Sequence, residues 1–447
     1  MLMFDRRRAG VLMHLGSLDA ALGSGGRAFI DWLAAAGFSV WQVLPVGPTG
    51  PDASPYWVRS DFAGNPAFLD RSELPRWSPT EHAAFLEASQ HWLDDYVLYE
   101  AVSGAQGGAP WWTWPAPLRD RSPTALAALK QEHATQVERL KAEQFAFFVQ
   151  WRRLHEYAQG RGVRLFGDMP FYVAPDSAET WAHREQFQLD PSGQPVAVAG
   201  VPPDYFSETG QLWGNPLYDW GKIRESGFTL WRRRVAQQLQ RVEVLRLDHF
   251  RALAAHWAIP AGAPDARGGA WQPSPGAELL QVLAQDLGGL PLVAEDLGVI
   301  TPDVVALRKG FGLPGMRVLQ FGFAGAGDNP HLPHMYEPDS VIYTGTHDND
   351  TTLGWYSSLD AETLRRVDFF LRLTPGAMPD ALVRAALGSV GCLAVVPVQD
   401  LLSLGSEARL NTPGTIAGNW HWRLPAGALT PELARHCSLL NRMYGRA

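Results

Sequence analysis

Short apolar runs rich in valine, leucine and isoleucine recur along the whole chain, and each breaks off at a polar residue or a Gly/Pro signal. Eight are present, at 10–18, 38–46, 163–171, 242–250, 290–298, 315–323, 340–348 and 392–400. Runs this continuous, without strict alternation, read as strands buried on both faces, the habit of parallel sheets. Amphipathic patterns at 27–36, 229–240, 277–287 and 302–309 lie between several of them, the last with Thr301 at its N-cap and Pro302 in its first turn. Eight strands alternating with helices predict a (β/α)8 TIM barrel. A barrel of this kind takes ~250 residues, so much of the 447-residue chain is expected to be insertion within one catalytic domain over 1–447, with no separate C-terminal β domain. Two insertions stand out. One is a largely helical stretch at 65–160 after the second strand; the other is an aromatic, loop-like stretch at 171–228 after the third.

Composition narrows what such a barrel can bind. The 44 glycines and 34 prolines fall short of the ~25–30% typical of low-complexity disorder. A net charge of −8, with no block of five like charges, lacks the basic footprint of a nucleic-acid partner. Cys392 and Cys437 are too few for a metal cluster or a disulfide framework, which fits a reducing cytoplasm. No run reaches the ~18 apolar residues of a membrane span. Eighteen tryptophans suggest that several line a groove where rings meet a ligand such as a sugar, with about half expected in the core.

In a barrel the site lies at the carboxyl ends of the strands, and here those ends are mostly acids: Asp168, Asp248, Glu295, Asp348 and Asp400 close the third, fourth, fifth, seventh and eighth runs. Such a ring permits metal binding, carboxylate acid/base catalysis or recognition of substrate hydroxyls. Metal is disfavoured, because the strand-end histidines are His249 and His347 and no His-x-His occurs. Glycosyl transfer needs two carboxyls with proton affinities pushed apart. Arg246, two residues before Asp248 and so on the same strand face, is expected to hold Asp248 ionised as a nucleophile. Burial and a neighbouring anion, Asp296 beside it or Asp348 across the mouth, would raise Glu295 toward a general acid. Gly310 to Gly315 matches a dinucleotide-binding pattern but follows a helix and holds Pro314, so it reads as a helix end. His14, near the first strand end, reads equally as a core group or a ligand contact.

Longer motifs carry a resemblance. QVLPVGPTG, SPY and FAGNP (42–66), GDMPFYVAPDSAETWAH (167–183), GVPPDYFSETGQLWGNPLY (200–218), LRLDHFRA (245–252), AEDLG (294–298), GLPGMRVLQF (312–321), YTGTHDNDT (343–351), and PVQDLLSLGSEARLN with GNWHWR (397–423) together resemble the amylomaltase family, the 4-α-glucanotransferases or disproportionating enzymes of the α-amylase superfamily. The resemblance implies a retaining mechanism with Asp248 as nucleophile, Glu295 as acid/base and Asp348 as a third acid on the 2- and 3-hydroxyls of the distorted sugar. It implies that Arg246 and Asp168 hold the nucleophile and terminal sugar, that His347 bonds that sugar, that Tyr56 flanks the donor side and that Asn419 faces the acceptor. It also implies maltooligosaccharides, amylose or starch-like glucans as substrates, and no cofactor.

Choosing a sugar acceptor over water requires water to be kept out. The 200–214 loop is the expected lid, with Tyr205, Phe206 and Trp213 as stacking rings and Gly200 and Gly210 as hinges. Trp213 as loop packing and Asn419 as a turn cap are the plainer alternatives. The chain departs from the family pattern at the shortened HLGSLDAALGSGG after the first strand and at Pro51-Asp52-Ala53, which bears on the outer glucan surface. A hydrolase on the same site and a non-catalytic glucan-binding protein remain as rival functions.

Overall fold

The computed structural model describes residues 4–74, 78–203, 207–325, 327–415 and 417–447. Among them are twelve strands: β1 (Arg8–Leu12), β2 (Val40–Gln42), β3 (Arg164–Met169), β4 (Ala197–Val201), β5 (Gln211–Pro216), β6 (Val244–Leu247), β7 (Ala255–Pro260), β8 (Ala270–Pro273), β9 (Leu292–Ala294), β10 (Gly315–Val318), β11 (Ser340–Tyr343) and β12 (Leu393–Pro397). Eight of these, in the order β10, β11, β12, β1, β2, β3, β6, β9, form one sheet whose pairs are all parallel. The Ala294 amide donates to the Pro314 carbonyl at 2.9 Å, bringing β9 against the start of β10 and nearly closing the barrel. Each expected run overlaps one of these strands, β1 starting two residues before its run, and each strand is shorter than its run. The surplus lies chiefly at the carboxyl end, where the chain leaves the ladder to form the mouth.

Both faces of the barrel strands are apolar, and they feed two separate cores. Leu12, Val40, Phe166, Val244, Val293, Met316, Val341 and Tyr343 fill the interior. The opposite faces pack beneath the helices in a larger cluster that includes Trp41, Leu165, Leu245 and Ile342. A platform filled this way holds strand-end side chains in place, since close-packed interiors transmit displacement rather than absorb it. Between β2 and β3 the longer helices are Pro79–Ala105, Pro123–Glu132 and Ala134–Gly160, the last leading into β3.

The 171–228 stretch differs from the loop expected there. It holds β4 and β5, an antiparallel pair, and β4 joins β7 and β8 from the segment after β6 in a second sheet of order β5, β4, β7, β8. Two segments distant in sequence complete each other's ladder, so neither alone carries a strong strand signal. Among the described residues no helix is long and apolar enough to cross a membrane, and both cysteines are free.

Candidate active site

Parallel pairing brings the charged residues together. Asp168 on β3 is the register partner of Arg246 on β6. The buried guanidinium of Arg246 spans two acids: Nη1 donates to both Asp168 oxygens at 2.8 Å, and Nη2 lies 2.8 Å from Asp248 Oδ1. Its Nε rests against Met316 Sδ at 3.4 Å. The Tyr56 hydroxyl donates to Asp168 Oδ2 at 2.8 Å, tying the loop after β2 to the same cluster.

Leu247 and Ala294 are the last paired residues of β6 and β9, so the next residues, Asp248 and Glu295, leave adjacent strands side by side. Neighbouring strands lie ~4.8 Å apart, which brings both carboxyls to one point of the mouth. Immediately after Asp248, His249 turns into the left-handed region at φ 50°, ψ 45°. A non-glycine residue there costs roughly 1 kcal/mol or more. The turn aims the His249 amide at Glu295 Oε2 at 2.8 Å, while the Leu297 amide donates to Oε1 at 3.1 Å.

Burial raises both carboxyls. For Asp248 burial comes first, Arg246 is the largest opposing influence, and the result remains above the ordinary aspartate value. Glu295 is carried up to about 8, by burial first, with Arg246 opposing and Asp248 and Asp296 adding to the rise. The expected pull of Arg246 on Asp248 is therefore present but outweighed by desolvation. The anion that matters most to Glu295 is Asp248 rather than Asp348. The two groups influence each other's titration, and Glu295, carried up to about 8, holds its proton at neutral pH.

Asp348 behaves oppositely. Its Oδ1 accepts from Asn411 Nδ2 at 2.6 Å, and His347 Nε2 stands 3.3 Å from Oδ2. Burial would raise it, but His347 and Asn411 outweigh burial and bring it down to about 2. The His347 ring stacks on Tyr56, centroids 5.0 Å apart and planes 19° apart, and Trp420 tilts against both.

Four carboxylates, an arginine, an imidazole and aromatic rings thus meet at the carboxyl end of the barrel. A family model described as 4-alpha-glucanotransferase matches residues 13–81 and 71–430. The chain belongs to that family. It is 46% identical over 484 residues to the 4-alpha-glucanotransferase of Thermus thermophilus, covering 95% of this chain and 96% of that one. The Synechocystis 4-alpha-glucanotransferase is 42% identical, with 99% of each chain covered. Among solved structures, the Streptococcus agalactiae amylomaltase in complex with acarbose superposes with a TM-score of 0.94 at 32% identity, over 99% of this chain and all of that one. As a 4-alpha-glucanotransferase, the chain is an enzyme of the hexosyltransferase class.

Within this family member, Tyr56, Asp168, Arg246, Asp248, Glu295, His347 and Asp348 come together as one cluster. Trp213, on β5, joins from the second sheet, its ring edge-on to His249 at 4.7 Å. Asn419 is occupied otherwise: Oδ1 accepts from the Thr412 amide at 2.9 Å, and Nδ2 donates to Thr415 O at 2.9 Å and Oγ1 at 3.2 Å. It fixes a turn; from the same loop Asn411 reaches Asp348 and Trp420 reaches the Tyr56 and His347 rings. Asp400 also stands apart, accepting from the Thr344 and Thr352 hydroxyls and the Thr352 amide at 2.6–2.7 Å. Asp296 takes the Met316 amide at 2.6 Å and pairs with Arg308 and Arg317 at 3.3 Å. His14 is buried against Phe68 and Trp420, and burial brings it down to about 3, so its ring is neutral. Tyr205 and Phe206 lie outside the described residues. The sequence reading missed Asn411 and Trp420, which no strand end marks, and it weighed His249 only for its side chain, not for the amide that reaches Glu295.

Proposed function

We propose that this enzyme moves α-1,4-linked glucosyl or maltooligosyl units between linear glucans by a retaining double displacement, as one catalytic domain working in the cytoplasm. The supporting observation is the placement of Asp248 and Glu295 at the ends of paired strands, with Glu295 carried up to about 8 by burial. Retaining glycosidases keep the two carboxyls ~5–5.5 Å apart, too close for a water between them. In the first step the Asp248 carboxylate attacks the anomeric carbon of the donor while Glu295 gives its proton to the departing glycosidic oxygen. The glucosyl unit is then held as an ester on Asp248, and the shortened glucan leaves. In the second step the 4-hydroxyl of an acceptor glucan passes its proton to the Glu295 carboxylate as its oxygen displaces Asp248. Both groups return to their starting states.

The remaining residues divide the sugar among them. Asp348, held ionised, accepts the 2- and 3-hydroxyls of the distorted ring, bonds that strengthen as positive charge builds at the anomeric carbon. Asp168, Arg246, Tyr56 and His347 line the donor sugar, and Trp213 offers a ring on the lid side. The Streptococcus agalactiae relative was solved with acarbose, which supports a groove for an oligosaccharide here; maltooligosaccharides, amylose and starch-like glucans are the proposed substrates. Maltotriose incubated alone tests the reading. A ladder of longer oligosaccharides together with glucose supports transfer; only shorter products would establish hydrolysis, and unchanged maltotriose a binding protein.

A further inference from the structure

We propose that Trp420 is a positioning residue, the backing that fixes the stacked pair Tyr56 and His347, at which the two side-chain series holding the site's acids meet. Its ring centroid lies 6.0 Å from that of Tyr56 and 5.9 Å from that of His347. One series runs from Tyr56 through its 2.8 Å bond to Asp168 and on through Arg246 to Asp248. The other runs from His347 to Asp348 at 3.3 Å. Asp248 and Asp348 share no hydrogen bond; Tyr56 and His347 stack on each other at 5.0 Å and Trp420 tilts against both, so this ring cluster joins the nucleophile's supports to those of the third acid.

The backbone points the same way. Trp420 sits at φ 67°, where glycine would rest without strain and any other residue is strained by roughly 1 kcal/mol or more. Its amide donates to the Leu410 carbonyl at 2.7 Å, and the Asn419 side chain closes the turn around it. The indole is 7% exposed and packs on the barrel's interior cluster. A backbone that suits glycine but carries the largest side chain has its explanation in the ring. An indole wedged against both Tyr56 and His347 keeps them parallel, and a misplacement of ~1 Å at such a site can cost ~10²-fold in rate.

This inference rests on the reading of Tyr56 and His347 as donor-sugar walls, and the test separates the two. Trp420→Phe keeps an aromatic ring, Trp420→Leu keeps apolar bulk without one, and Trp420→Gly relieves the backbone while removing the ring. With maltotriose as donor, the Leu and Gly variants should lose ~10²-fold in kcat/KM, mostly in kcat, while Phe recovers most of the loss. A role confined to the backbone would be rescued by Gly, and one confined to filling space by Leu; either rescue overturns the proposal. Combined with Tyr56→Ala, Trp420→Leu should add little further loss, whereas additive losses would show that the indole does not act through Tyr56. If Tyr56→Ala and His347→Ala each leave kcat/KM at the wild-type value, the donor-wall reading itself falls. If they are impaired and the Trp420 variants are not, this inference alone falls. Should the Gly variant fail to fold, the Phe and Leu pair, compared at equal thermal midpoints, carries the test.

Discussion

Asp248 and Glu295 differ in what surrounds them more than in what they are. Asp248→Asn and Glu295→Gln remove an ionisable role without a volume change, and each is expected to lower maltotriose turnover by ~10³-fold or more while circular dichroism stays native. Glu295 sets the alkaline side of the pH profile: kcat/KM should fall near pH 8 as it loses its proton. A profile flat through pH 9 would refute that assignment. The same shift makes a stability statement. The unfolded chain releases the Glu295 proton near pH ~4.3, the folded one only near 8, so stability declines as pH rises through that window. Glu295→Gln should therefore raise the thermal midpoint at pH 8 and leave it unchanged at pH 4, where both states hold the proton. Asn411, at 2.6 Å from Asp348, supplies part of what brings that acid low. Asn411→Leu should lower kcat by about tenfold or more with little change in folding, and wild-type kcat would show Asp348 to be independent of it.

At the scale of elements, the eight barrel strands were legible because burial on both faces writes itself as unbroken apolar runs, and the acids were legible because each follows such a run. The second sheet was not: β8 is exposed along its length, and β4 and β5 contain Gly200 and Gly214, with a register shift between Val198 and Gly200. Asn411 and Trp420 were hidden for a different reason, since they reach the site by a loop returning after β12. The tryptophan count divides as composition suggested, about half to the core. Nine of the seventeen described tryptophans are buried, and of the rest only Trp213 touches a ring beside Glu295. The helix Thr229–Leu239 shows how the loops around the site are anchored. Its Arg234, fully buried, pairs with Asp61 and bonds the Pro170 and Phe171 carbonyls and the Tyr218 hydroxyl. Arg234→Met leaves Asp61 buried without its cation, a loss of ~3–5 kcal/mol. A denaturation midpoint equal to wild type would show that Asp61 finds another partner.

Taken whole, the molecule draws its site from nearly the full length of the chain: Tyr56 after β2, Asp168 on β3, Arg246 and Asp248 at β6, Glu295 at β9, His347 and Asp348 after β11, Trp420 after β12. No local segment holds two opposed acids, so the chemistry exists only once the barrel closes. Closure also matches each acid with a partner of the chain's own. Asp168 and Asp248 share Arg246, Glu295 takes two backbone amides, and Asp348 takes Asn411 and faces His347. A divalent ion binding here would have to displace a buried guanidinium from two carboxylates at 2.8 Å, and separating such a buried pair costs ~3–5 kcal/mol. On the proposed mechanism, charge at the reacting carbon is balanced by carboxylates whose partners are the chain's own side chains and amides. Prolonged dialysis against a strong chelator, followed by assay in its presence, should leave the initial rate of maltotriose disproportionation unchanged. A rate that falls on dialysis and returns with added calcium or magnesium would mean that an ion, rather than Arg246, sets the charge of the nucleophile.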